Sequence, residues 1–188
     1  MSIGNTIENI NKLDNLNSAL REINNLYIMD QLCNVYNRNG LLCMSKGIIE
    51  RCKFEHKRLM ISFIDMDGLK YVNDKFGHKE GDFALKTIAR AISRSCTHDM
   101  ICARFGGDEF VVVGINTSID DFENRLNAEL EVANNVYVRP YEFECSVGSI
   151  VTDVTDNTDL FKLITEADSL MYEQKKRKKT SKYIRRDS

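Results

Sequence analysis

Four carboxylates sit at the ends of two apolar runs. Asp65 closes "LMISFID" (59–65), Asp67 follows two residues later, and Asp108 and Glu109 stand side by side in "ICARFGGDEF" (101–110). Neighbouring like charges repel, so a cation belongs between them. Hard carboxylate oxygens suit Mg²⁺, which keeps several waters and binds through a few carboxylates plus substrate phosphates; Mn²⁺ would serve in the same donor set. Gly68 follows Asp67 and opens a helical stretch with Leu69 and Lys70. A glycine there lets backbone approach a ligand, and the free N–H groups of a helix start favour an anion. A phosphate carried on Mg²⁺ accounts for the carboxylates and the N–H donors together, and the lysine-rich segment near 175 completes the charge balance. On local sequence alone, Asp65 and Asp67 could instead cap the helix that follows them. An EF-hand is excluded, because "DMDGLKYVNDKF" has Leu69 at the fifth ligand position and Phe76 where the closing Glu belongs.

The elements that must position these residues are legible from periodicity. "LMISFID" is a buried strand, and "MICARF" and "FVVVGI" are two β-rich runs joined by Gly-Gly-Asp-Glu, a hairpin signal. If the first strand neighbours the hairpin, Asp65 meets Asp108 and Glu109 at one sheet edge. Helices are predicted over 39–56, 81–96, 118–135 and 158–177, with a short helix and turn in "DGLKYVNDKFGH" (67–78), a further strand in "YEFECSVGSIV", and a short edge strand in "KYIRR". Helices and strands alternate without repeats, which predicts an α/β (α+β) sandwich, a mixed central sheet covered by helices. Ahead of it, Ile3, Ile7, Ile10, Leu13, Leu16, Leu20, Ile23 and Leu26 follow helical spacing. They predict a stalk that packs on the domain or pairs two chains, its asparagine-rich first half weak and partly disordered. The predicted division is therefore 1–29 as N-terminal helix and 30–188 as the domain that carries these carboxylates.

The 188 residues, 43% of them hydrophobic, suffice for one core plus this appendage. No apolar run approaches the ~18 residues of a membrane span, and the polar start lacks the apolar core of a signal peptide. The net charge of −2 hides a basic end, because "KKRKKTSKYIRRDS" holds eight Lys or Arg against one Asp. With Tyr183 as its one aromatic, this tail lacks the interleaved rings of a single-strand binder, so nucleic acid is not an expected partner. Cysteines 33, 43, 52, 96, 102 and 145 show no CxxC pair and lie largely within apolar patterns. They read as small hydrophobes in a reducing, cytoplasmic setting.

"RFGGDEF" is the signature of the GGDEF domains, the diguanylate cyclases, and four more blocks resemble that family in order. These are "DQLCNVYNRNG", "DMDGLKYVNDKFGHKEGD", "ECSVGSI" and "EADSLMYEQKK", together covering about 30–182. The resemblance implies a palm-like fold related to class III nucleotidyl cyclases. It implies condensation of two GTP into cyclic di-GMP and two pyrophosphates by a two-fold symmetric homodimer. By position, Asp65, the Met66 carbonyl, Asp108 and Glu109 would hold the metal, and Glu109 would also take the proton of the attacking hydroxyl. Asn73 and Asp82 would bind guanine. Gly68, Leu69, Lys70, Lys175 and Lys179 would hold phosphate, and Gly106 and Gly107 would leave room for the nucleotide. An Asp pairs with the two N–H donors of guanine and finds no such pair on adenine.

Two departures matter. The window where many members carry an inhibitory R-x-x-D product site reads Thr97-His98-Asp99-Met100, so no feedback binding is expected there. The usual Gly-Arg-Asn of the last helix is replaced by Lys178-Lys179-Thr180, which keeps a charge but loses the two-pronged guanidinium. The other reading of the same residues is a GTP-binding regulatory module with little turnover.

Overall fold

In a computed structural model, residues 3–115 and 118–184 are described, with side chains over 12–115 and 118–178. Four strands form the centre: β1 (Leu59–Met66), β2 (Met100–Gly106), β3 (Glu109–Ile115) and β4 (Cys145–Thr152), in the order β2-β3-β1-β4. Every pair of these strands is antiparallel. The sheet's one parallel contact among the described residues is an isolated bridge from Tyr36 to Ala103 at the β2 edge.

The alternation of side chains across the strands builds two cores. On one face Met60, Ile64, Phe110 and Val112 pack against α4 (His78–Ser95) and α5 (Ile119–Val136) through Ile88, Ile92, Phe122 and Leu126. On the other, Ile61, Phe63, Val111 and Val113 meet α2 (Arg38–Glu55) and α6 (Leu160–Ile184) through Leu41, Ala167 and Met171. All eight residues of β1 are buried, which is why its sequence is an unbroken apolar run. A short helix, α3 (Leu69–Phe76), connects β1 to α4.

The last helix corrects one expectation. Lys182, Tyr183 and Ile184 of "KYIRR" belong to α6 instead of an edge strand, since α6 continues without interruption to Ile184; the rest of the segment lies outside the described residues. Lys and Arg are good helix formers, and no Gly or Pro follows Glu166 to stop the helix. The fourth strand also begins later than its apolar pattern suggests. Phe143 is buried but lies ahead of β4, its backbone N–H donating to Asn134 Oδ1 at 2.7 Å instead of to a strand. The first helix, α1 (Ile3–Ile28), precedes α2, and its Leu13, Leu16, Leu20, Ile23 and Leu26 are all more than half exposed.

Candidate active site

The β1–β3 register places Asp65 opposite Glu109, and the Met66 N–H donates to the Asp108 carbonyl at 3.0 Å. The carboxylates that the sequence kept 43 residues apart thus share one end of the sheet. At the hairpin tip Gly107 adopts a left-handed backbone with φ of 28°, which a side chain would strain. Arg104 holds this turn, its Nε and an Nη donating to the Gly107 carbonyl at 2.9 and 2.7 Å. Arg104 also pairs with Asp30 at 3.3 Å, so the turn is tied to the connection between α1 and α2. Gly106 leaves space beside Glu109, since a Cβ there would sit 3.3 Å from Oε2.

Asp65 is buried, and its Oδ1 accepts from the Lys175 ammonium. Burial lifts the Asp65 carboxyl above the usual carboxylate range; Lys175 opposes the shift, while Asp108 and Asp67 add to it. Glu109 is lifted the same way, by burial first and then by Asp108, Asp65 and Asp168. Burial alone would depress Lys175, yet its hydrogen bond with Asp65 and the charges of Asp65, Asp67 and Asp108 raise it above the ordinary lysine range. Among the described residues no three His, Cys, Asp or Glu side chains are grouped ready to cage a metal. The donor set nevertheless suits Mg²⁺: a crowd of oxygen anions that destabilise one another, with an ammonium now supplying the positive charge.

Asp65 and Asp67 do not cap α3. The N-cap is Gly68, with φ of 82° and no side-chain cap bond, so N–H groups at the start of α3 keep no capping partner. Asp67 instead accepts from Ser146 Oγ at 2.8 and 3.0 Å and from Lys178 Nζ at 3.1 Å. Gly68, Leu69 and Lys70 form one wall of a cavity of about 350 Å³, and Asp67, Asp108, Lys175 and Lys178 complete it. Lys175 thus lines the cavity while paired with Asp65. The Lys179 side chain lies outside the described residues. Lys178, Ser146 and Arg104 went unassigned in the sequence; the replaced Gly-Arg-Asn and the S-x-G block were the signals available for the first two.

Asn73 and Asp82 do not line this cavity. Asn73, on α3, lies against the start of α4, where a Cβ on Gly81 would fall 1.9 Å from its Oδ1. Asp82 is the next residue and is exposed. The two residues expected at guanine thus lie close together where α3 meets α4. At the product-site window, Asp99 accepts from Arg51 at 2.6 Å, and Arg94 sits 3.6 Å from Glu129.

Comparison with known proteins gives this arrangement a place. Residues 27–181 match the family described as "Diguanylate cyclase, GGDEF domain". Among curated proteins, the chain is 28% identical to diguanylate cyclase DgcP of Escherichia coli over 88% of this chain and 50% of that protein. It is 30% identical to the cyclic di-GMP phosphodiesterase PdeR of the same organism over 78% of this chain and 22% of that protein. The chain thus spans half the length of the first and less than a quarter of the second. The coiled coil and GGDEF domain of DgcB from Caulobacter crescentus share the fold, with a TM-score of 0.77 at 18% identity over 92% of this chain and 93% of that one. With the signature turn at one end of an antiparallel sheet and the family match running from residue 27 to 181 of 188, the chain belongs to the GGDEF diguanylate cyclase family.

Proposed function

We propose that the protein is an active diguanylate cyclase that joins two GTP into cyclic di-GMP and releases two pyrophosphates. The observation that carries this reading is the convergence of Asp65, Asp108 and Glu109 with Lys175 beside a cavity walled by Gly68, Leu69 and Lys70. Asp65, the Met66 carbonyl, Asp108 and Glu109 would hold Mg²⁺, or Mn²⁺ in its place. When bound, the metal polarises the α-phosphate and neutralises charge that grows in the transition state. The protein's own groups do the rest. Lys70, Lys175, Lys179 and the N–H groups opening α3 hold the triphosphate. Asn73 and Asp82 accept and donate along the guanine edge. Glu109, at the hairpin tip, takes the proton of the 3′-hydroxyl. That oxygen bonds to the α-phosphorus of the second GTP as the bond to pyrophosphate breaks, and the same exchange in the other direction closes the ring. One domain supplies one GTP, so the working species is a two-fold homodimer with its sites face to face.

The test is incubation with GTP and Mg²⁺ followed by chromatographic separation with mass detection. Cyclic di-GMP from the parent, none from Asp108→Ala and a large loss in Asp82→Ala is the expected result. The match to PdeR, a protein named for cyclic di-GMP breakdown, favours a second reading, a regulatory module that binds GTP without turning it over. GTP binding with no product at high protein concentration would select it.

A further inference from the structure

We infer that Lys178 is a triphosphate-binding residue of this site, standing where the family pattern has a glycine. The inference rests on the nucleotide reading above. Lys178 follows Lys175 by three residues on α6, so both project from one helix face toward the ends of β1 and β4. Its Nζ donates to Asp67 Oδ2 at 3.1 Å and to the Cys145 carbonyl, and its side chain keeps 37% of its exposure. Asp67 is itself fixed by Ser146 Oγ and by its backbone N–H, which donates to the Glu144 carbonyl at 2.9 Å. The ammonium is therefore held on the cavity wall by a braced carboxylate, opposite Lys70 and the first turn of α3. Three lysines then surround one cavity, enough positive charge to meet a triphosphate as point charges in place of a guanidinium fork. A glycine at this position could reach none of it.

A structural role, in which Lys178 only staples α6 to β4, makes a different prediction. Binding of 3′-deoxy-GTP, which lacks the attacking hydroxyl and cannot react, is measured by calorimetry with Mg²⁺ beside binding of GMP. Lys178→Met keeps the stem and removes the charge; it is expected to weaken 3′-deoxy-GTP about tenfold or more and leave GMP within about twofold. Lys178→Arg should restore most of the loss. Equal losses for both nucleotides, or a Lys178→Met protein that binds 3′-deoxy-GTP like the parent while Lys179→Met does not, would overturn the inference. A folded parent that binds neither nucleotide would overturn the nucleotide reading, and this inference with it.

Discussion

At the residue scale, burial decides which charges and thiols can act. Asp65 and Glu109 are both pushed up by burial and by neighbouring carboxylates, Asp108 foremost among them, so the site keeps an unfavourable concentration of negative charge that a cation relieves. Mass action then predicts that Mg²⁺ with 3′-deoxy-GTP raises the melting temperature, that a chelator abolishes the gain, and that Asp65→Ala shows little of it. Scanning calorimetry checks all three. The cysteines follow the same logic without chemistry. Burial pushes the Cys33 and Cys96 thiols up to about 12, from a usual 9.0. Between those values the folded chain keeps protons that the unfolded chain releases, so stability falls as pH rises. The slope of melting temperature against pH above about 9 should be shallower in Cys33→Ala/Cys96→Ala than in the parent. At pH 8 an alkylating reagent should reach exposed Cys43 well before Cys33 or Cys96.

At the element scale, two glycines set the spacing on which the site depends. A Cβ on Gly148 of β4 would lie 2.1 Å from the Ala167 carbonyl and 2.2 Å from the Met171 backbone nitrogen. The contact is with helix backbone, which cannot rotate aside as a side chain can. Gly148→Ala should therefore lever α6 off the sheet, costing about 3 kcal/mol and lowering the melting temperature by roughly 6–12 °C. It should also take Lys175 away from Asp65, so nucleotide affinity falls with stability. Gly81 is the contrasting case, because its clash would be with the end of the Asn73 side chain. Gly81→Ala should leave the melting temperature within a few degrees of the parent yet raise KM for GTP several-fold, by turning the Asn73 amide. Steady-state kinetics beside a melting curve separates the two variants.

At the scale of the whole molecule, α1 exposes the stripe Leu13, Leu16, Leu20, Ile23 and Leu26, which in the proposed homodimer would bring two domains together. Deleting residues 1–27 should cut specific activity at low protein concentration and much less at high concentration; an equal loss at both would assign α1 to folding. The division of labour between sequence and tertiary structure is visible at this scale as well. The order of the four strands, the hairpin and the place of Asp65 at a strand end and of Asp108 and Glu109 at the hairpin tip were legible in the chain, because each depends on local periodicity or a contiguous motif. The run 59–65 declared itself a buried strand because covering on both faces leaves little place for polar residues. The sequence left open whether Asp65 and Asp67 are helix caps, and could not tell which lysine of "KKRKK" turns toward the cavity. Those answers come from strand register and from the close seating of α6 on β4, which pair Asp65 with Lys175 and Asp67 with Lys178. Such pairings join residues about 110 positions apart, and no local signal encodes a distance that only packing sets.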